Sequence, residues 1–124
     1  MSHVHASKRH DSALKHVTGQ AIYIDDMPEP PGTLHGAVVL SPVAAGRLQA
    51  LDLSAARAAP GVAAVLVAAD IPGHNNIGGP GKHEPLFAGD AVIFAGQPMA
   101  LVLADSLDAA RHAAALVRPD IEPG

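Results

Sequence analysis

Histidine is the residue type in this 124-residue chain that most readily suggests chemistry, because eight are present. His3, His5 and His10 lie close together near the N-terminus, and imidazoles at this spacing can bind zinc or nickel loosely. A tight site also needs a rigid scaffold that orients the ligands, which a polar terminal segment does not provide. We therefore expect only incidental metal binding there. Surface or capping positions are expected for the other five, His16, His35, His74, His83 and His112.

Carboxylates and hydroxyls offer two further arrangements. Asp25 and Asp26 are adjacent, and adjacent side chains of an extended chain point to opposite faces, so a turn before Pro28 is favoured over a shared proton or ion. Ser41, Asp52 and one histidine can be assembled on paper into a hydrolytic triad. The chain has no G-x-S-x-G elbow to support it. A divergent hydrolase is therefore the weakest of the functional alternatives.

The glycine-rich segment 78–83 superficially resembles a phosphate-binding loop. A P-loop requires Gly, four residues and then Gly-Lys-Ser/Thr. Here Asn76 occupies the position of the first glycine, and His83 occupies the position of the Ser/Thr. A long exposed loop over residues 74–85 is the better interpretation. We accordingly predict no catalytic, cofactor-binding or metal-binding residue in this chain.

The elements that surround these residues form an α/β pattern. Hydrophobic runs predict strands at residues 34–40, 47–53, 62–67, 91–94 and 99–104, with an edge strand at 120–122 weakened by Pro119. Helices are predicted at residues 55–59, capped by Ser54, and at 107–117, capped by Asp105 or Ser106. We expect a mobile N-terminal arm over residues 1–16 and one domain over residues 17–124, with two helices packed on a mixed sheet. The apolar face of the second helix is predicted to hold Leu107, Ala110, Ala114 and Val117.

Composition restricts the functions that the chain can have. Hydrophobic residues make up 48% of the sequence, but aromatic residues only 2%, so a core of Ala, Val and Leu buries little area per residue. Either other domains cover part of the surface, or the alanine content reflects a GC-rich genome.

The net charge of −4 without a basic stripe argues against nucleic acid as a partner. The absence of cysteine excludes disulfides, thiolate zinc sites and cysteine-ligated clusters, and fits the cytoplasmic location that we expect. The apolar runs are too short to span a membrane.

An ordered series of motifs suggests a family. It begins with the run from Val17 to Leu48 and continues with Leu51-Asp52-Leu53-Ser54, Pro60-Gly61-Val62, Asp70-Ile71-Pro72-Gly73, Glu84-Pro85-Leu86-Phe87-Ala88 and Gly96-Gln97-Pro98. Together these motifs resemble the N-terminal α/β hammerhead domain of the molybdenum-binding subunit of the xanthine dehydrogenase and aldehyde oxidase family. The likeness is greatest to the bacterial form, in which this subunit is a separate chain.

This resemblance implies a function that the chain does not carry out alone. Family members hydroxylate purines such as hypoxanthine and xanthine with oxygen from water, and electrons pass from molybdenum through iron–sulfur clusters and FAD to NAD. The molybdopterin cofactor, the glutamate base and the substrate-binding arginine belong to later domains, and the 2Fe-2S clusters and FAD belong to a partner subunit. We therefore expect a structural domain that is inactive alone and contacts those downstream domains and that subunit.

One departure from the family pattern leaves an alternative open. The family continues into a strand that ends Glu-x-Leu-Pro, whereas this chain ends with residues 119–124 (PDIEPG), so we expect a truncation at the C-terminus. A stand-alone hammerhead-fold binding module without catalytic activity is the alternative, with loop 74–85 as its contact surface.

Overall fold

The computed structural model describes residues 7–124, which divide into two units between Pro31 and Gly32. In the first unit, helix α1 spans Ala13–Val17 and a single 3₁₀ turn spans Ile24–Asp26. Lys15 lies in the last turn of α1, where its positive charge complements the helix dipole. No helix was predicted here, and α1 begins within the stretch expected to be mobile. That mobility stays a prediction, and His3 and His5 lie outside the described residues.

The second unit contains the predicted elements with small shifts at their ends. Its helices and strands are β1 (His35–Leu40), β2 (Gly46–Asp52), α2 (Ser54–Ala58), β3 (Val62–Val67), β4 (Ala91–Val92), β5 (Pro98–Ala104), α3 (Leu107–Leu116) and β6 (Arg118–Pro123), with a 3₁₀ turn at Ala68–Asp70. The predicted strand 91–94 shortens to two residues, because the chain bends at Phe94 and turns at Ala95 and Gly96. In the part of the chain that the structure describes, no helix has the length and apolar character needed to cross a membrane.

The strands form two three-stranded sheets, and the order is β1-β5-β3 in one and β4-β2-β6 in the other. The predicted α/β class is confirmed, but the single mixed sheet is wrong, because all four strand pairings are antiparallel. β1 and β3 do run parallel to each other. However, β5 lies between them and pairs antiparallel with both, so no parallel pair forms among the described residues.

The core is centred on β5, the strand that the sequence marks most clearly. Met99, Ala100, Val102 and Ala104 are fully buried, and α3 packs against both β5 and β1. One cluster of buried side chains also includes residues of the second sheet, Leu48 and Val92 among them. The two sheets therefore share a single core made largely of small aliphatic side chains.

Helix α3 begins as predicted but presents a slightly different apolar face. Ser106 is the N-cap, and its hydroxyl accepts a hydrogen bond from Ala109 N at 3.3 Å. Leu107 is 40% exposed, which corrects its predicted core position, whereas Ala113 is fully buried and was not predicted. In the first turn the helix extends beyond the sheet, so the buried face begins at Ala110.

The final strand β6 is longer than expected in spite of its prolines. It pairs with β2 over its whole length, and Pro119 lies opposite Leu51. Because β6 is the outer strand of its sheet, the missing N–H of a proline can face away from the ladder.

Helix α2 begins at Ser54, one residue earlier than predicted. Ser54 is not the N-cap. Instead, the Asp52 carboxylate accepts hydrogen bonds from the backbone N–H and the hydroxyl of Ser54 at 2.9 and 2.6 Å.

Candidate functional site

A cavity of about 600 Å³ lies between the predicted exposed loop and the edge strand β4. Most of its lining side chains are polar or small, which is unusual in a domain with so aliphatic a core. The lining residues are His74, Asn75, Asn76, His83, Pro85, Gly89, Asp90, Ala91, Ile93 and Gln97. Two asparagines and one glutamine determine the shape of this cavity.

Asn75 holds the end of the loop against the core. Its Nδ2 donates to Phe87 O at 2.7 Å, and its Oδ1 accepts from Phe87 N at 3.0 Å. One amide side chain therefore satisfies both backbone groups of Phe87, as a neighbouring strand would. Phe87 itself is buried. The pair of bonds fixes where the loop leaves and rejoins the domain.

Asn76 organises the interior of the loop. Its Oδ1 accepts from the backbone N–H groups of Gly78 and Glu84 at 3.0 and 2.8 Å, and its Nδ2 donates to Lys82 O at 3.3 Å. A Cβ on Gly78 would lie 2.6 Å from Lys82 O, so this position requires glycine. The N–H groups that a P-loop would offer to phosphate instead bond a side chain of the same loop, which agrees with the surface-loop prediction.

Gln97 forms the floor of the cavity where two distant motifs meet. Ser41 N donates to Gln97 O at 2.9 Å, and Gly96 N donates to Ser41 O at 2.9 Å. These bonds join the Ser-Pro corner to the Gly-Gln-Pro turn. The Gln97 side chain is only 1% exposed, and its Oε1 accepts from Ile93 N at 2.8 Å.

The residues of the hypothetical triad have separate local roles. Ser41 is buried, and its hydroxyl donates to Val43 O at 2.9 Å and accepts from Val43 N, which is a serine turn. Asp52 belongs to the start of α2. The Ser54 hydroxyl, and then the Ser54 backbone N–H, hold the pKa of the Asp52 carboxyl below its ordinary value. Both side chains stabilise turns, and neither is positioned by the other.

One of the two adjacent aspartates also stabilises a local turn. Asp26 Oδ2 accepts from Tyr23 N at 3.1 Å and closes the 3₁₀ turn, so the predicted turn role is confirmed for Asp26. Asp70 repeats this arrangement by accepting from Val67 N at 2.8 Å. In both turns the carboxylate bonds a backbone N–H three residues earlier, which is a local structural use.

The described histidines are spread over both units. His16 Nδ1 lies 3.0 Å from the Tyr23 hydroxyl, and its ring packs edge-on to that of His10 at 6.0 Å between centroids. His112 is exposed on α3, His35 is half-buried at the start of β1, and His74 and His83 are exposed on the wall of the cavity. Across residues 7–124, no group of three or more His, Cys, Asp or Glu side chains is arranged to hold a metal ion.

The sequence interpretation did not identify Asn75, Asn76 and Gln97 as the residues that build a site. Two adjacent asparagines in a glycine-rich loop do favour side-chain bonds to nearby backbone, and this signal was available. No comparable signal exists for Gln97, because its burial depends on the meeting of two segments 55 residues apart.

The architecture of two small antiparallel sheets, one of them covered by a helix, is shared with known proteins. Residues 18–123 match the family model described as aldehyde oxidase and xanthine dehydrogenase, a/b hammerhead domain. The chain belongs to this family. It is 46% identical over 105 residues to a xanthine dehydrogenase of Oryza sativa subsp. japonica, and 44% identical over 117 residues to aldehyde oxidase 4 of Mus musculus, covering 85% and 92% of this chain. A reconstituted CO dehydrogenase from Oligotropha carboxidovorans superposes with a TM-score of 0.84 over 94% of this chain, at 34% identity.

In each case this chain corresponds to a small part of a larger protein. It spans 8% of the length of the rice and mouse relatives, and 15% of the CO dehydrogenase chain. A Cu,Mo-CO dehydrogenase also superposes, with a TM-score of 0.79 over 94% of this chain at 33% identity, so this domain type occurs within a molybdenum enzyme. In loop 74–85, the amides of Gly78 and Glu84 are bonded to Asn76, so these two groups do not fit the phosphate of a molybdopterin cofactor.

Proposed function

We propose that this chain is a structural domain of a molybdenum hydroxylase of the xanthine dehydrogenase type. In this proposal the domain has no catalytic residue and packs against the molybdopterin-binding domains that complete the subunit. The purine substrate, the NAD acceptor, a separate bacterial-type subunit, a partner subunit with 2Fe-2S clusters and FAD, and the cytoplasmic location are all parts of the proposal. The observation that carries it is the match to the rice xanthine dehydrogenase over 85% of the chain.

Sequence identity alone does not favour purine substrates over aldehyde substrates. The rice xanthine dehydrogenase and the mouse aldehyde oxidase differ by only two percentage points in identity to this chain. What supports the domain role is the use of its polar side chains. The side chains of Ser41, Asp52 and Asp70 all form hydrogen bonds with nearby backbone groups, so each has a local structural role.

The test compares this chain with the full gene product that contains it. We expect the full product to reduce NAD when given xanthine or hypoxanthine, and to lose that activity when the cells are grown with tungstate in place of molybdate. The chain alone should give no turnover, even with an artificial electron acceptor. Xanthine turnover by the isolated chain would contradict the structural role, and oxidation of aldehydes but not purines by the full product would refute the purine assignment.

A second candidate is a stand-alone binding module, and the cavity beside loop 74–85 is the observation that favours it. The two functions differ in the nucleotide sequence expected downstream of codon 124. An open frame that continues with family sequence supports the enzyme domain, whereas a stop codon without a catalytic gene nearby supports the module.

A further inference from the structure

The cavity extends along a sheet edge that is open. In the order β4-β2-β6, strand β4 has a neighbour on one side only, among the residues that the structure describes. Gly89, Asp90, Ala91 and Ile93 all line the cavity, so it lies along the two-residue strand β4, roughly 7 Å of extended chain, and its flanking residues.

The register shows which backbone groups face outward. Arg47 pairs with Ala91, and Leu48 N donates to Asp90 O at 2.9 Å, one residue beyond that pair. In an antiparallel ladder this places Arg47 and Ala91 in a non-hydrogen-bonded pair. The N–H and C=O of Ala91 therefore point away from β2, towards the side on which no described strand lies.

Gln97 supplies a donor on the floor of the same cavity. The hydrogen bond from Ile93 N identifies the accepting atom as Oε1 and so fixes the orientation of the amide. No described residue provides a partner for Nε2. Among residues 7–124 every side-chain nitrogen or oxygen sealed from solvent has a partner, so Nε2 is not sealed from solvent, and Gln97 is one of the residues that line the cavity.

An apolar margin lies beside these polar groups. Ile93, which lines the cavity, is 66% exposed, and its neighbour Phe94 is 50% exposed. Half of an aromatic side chain in contact with water is notable in a chain that contains only three aromatic residues. Asp90 is the only lining residue with a permanent charge, so the cavity suits an uncharged occupant better than a phosphate or a carboxylate.

We propose that the cavity receives an extended polypeptide segment from another part of the longer protein. This segment lies along β4 as an added strand, pairs with the N–H and C=O of Ala91, and accepts a hydrogen bond from Gln97 Nε2 through a backbone carbonyl. Its side chains cover Ile93 and Phe94. The inference rests on the proposed function and deepens it, because it names the surface at which the domain meets the remainder of the enzyme.

The occupant is assigned to the same protein because of how much chain lies outside this domain. The domain makes up only 8% of the rice relative, so most of that protein is available to contact it. A backbone segment also matches the alternating donors and acceptors of a strand edge, which a small metabolite does not.

The experiment uses this chain with overlapping synthetic peptides of about 12 residues, longer than the edge that they would cover. The peptides tile the rice xanthine dehydrogenase outside its matched segment, and binding is measured by fluorescence anisotropy. We expect a few overlapping peptides to bind and to protect the Ala91 amide from hydrogen exchange. Gln97→Glu keeps the acceptor for Ile93 N but replaces the donor with an acceptor, and should weaken binding by about tenfold or more.

Two further variants separate binding from folding. Ala91→Pro removes the outward N–H without removing a bond to β2, and should weaken peptide binding similarly while the far-ultraviolet circular dichroism is unchanged. Gln20→Glu makes the same charge change in the first unit and should leave binding unaffected.

Three results would overturn the inference. These are the absence of any binding peptide, peptide affinity that is unchanged in both Gln97→Glu and Ala91→Pro, and occupation of the edge by a second copy, seen as self-association that Ala91→Pro abolishes. Binding of acetamide at Gln97 without peptide binding would indicate a small-molecule site and would equally contradict it. Purine oxidation by the full gene product is measured separately, so the docking site can fail while the proposed function stands.

Discussion

The two sheets of the domain are stabilised in different ways. The first, β1-β5-β3, has a central strand whose alternate residues are fully buried and is covered by α3. The second, β4-β2-β6, has a two-residue edge strand and an outer strand with prolines near both ends. Its position depends on turn residues such as Asn75 and Gln97. The first sheet therefore relies on apolar burial, whereas the second adds hydrogen bonds from a few polar side chains to the burial of Leu48 and Val92.

This contrast agrees with a domain in which the central strand of one sheet is paired on both edges and the other sheet has an edge strand that another segment can pair with. The first sheet already satisfies its central strand on both edges. Among the described residues, the second leaves β4 open beside the cavity. Single substitutions in each sheet can test whether burial and polar bonding are divided between them in this way.

The largest effect is expected at the centre of the first sheet. Met99 is fully buried on β5, so Met99→Ala removes apolar contacts and leaves a cavity, and should lower the free energy of unfolding by about 2–5 kcal/mol. Urea denaturation measures this. Leu40→Ala on β1 is the matched control, because Leu40 is 53% exposed, and it should cost about 1 kcal/mol or less. Equal losses in the two variants would show that β5 is not the core of the domain.

The second largest effect is expected where β2 and β6 pack closely in the second sheet. A Cβ on Gly46 would lie 2.6 Å from Ile121 Cγ2 and 2.7 Å from Glu122 O, so Gly46→Ala must push β6 away from β2. We expect a loss of about 1–3 kcal/mol and faster hydrogen exchange in β6. Gly73→Ala is the control, because its Cβ would meet open space. If both variants are as stable as the wild type, β6 is not held closely against β2.

A smaller and more local effect is expected where Asn75 holds the loop. Asn75→Ala leaves the N–H and C=O of Phe87 without their side-chain partner and should cost about 1–2 kcal/mol, the lower part of the usual range because the site is only partly buried. Asn75→Asp keeps the acceptor for Phe87 N and should lose less. Hydrogen exchange at Phe87 should accelerate in the same order. A uniform loss of protection through β5 would contradict the local role.

The same contrast explains how much of the molecule could be predicted from sequence. Strand β3 was predicted with both ends correct, and β5 within one residue, because a run of apolar residues is a local signal. The arrangement into two antiparallel sheets was not predicted, since strand order depends on contacts between distant residues. The cavity was missed for a related reason. Asn75 bonds Phe87, 12 residues away along the chain, and Gln97 is buried only where the Gly-Gln-Pro turn meets Ser41, which is distant in sequence.

The smallest effect concerns pH and the start of α2. The Ser54 hydroxyl and N–H stabilise the Asp52 carboxylate, so the pKa of Asp52 is lower in the folded chain than in the unfolded one. A lowered pKa contributes stability that is complete above the unfolded value, about 3.9, and is lost as the pH falls through the folded value. Asp52→Asn should therefore be less stable than the wild type near neutral pH, and the difference should shrink towards zero in acid.

Ser54→Ala isolates the cause of that shift. It removes the hydroxyl that contributes most to the lowered pKa while leaving the backbone N–H in place, so the pKa of Asp52 should rise part of the way to its ordinary value. A titration of the Asp52 side-chain carbon by NMR measures this directly. An unchanged pKa in Ser54→Ala would show that the hydroxyl does not act on the carboxylate. A difference between Asp52→Asn and the wild type that stays constant into acid would show that the charge of Asp52 contributes nothing to α2. Because this carboxylate is exposed, solvent screens its interactions, and its effect should be the weakest of the four.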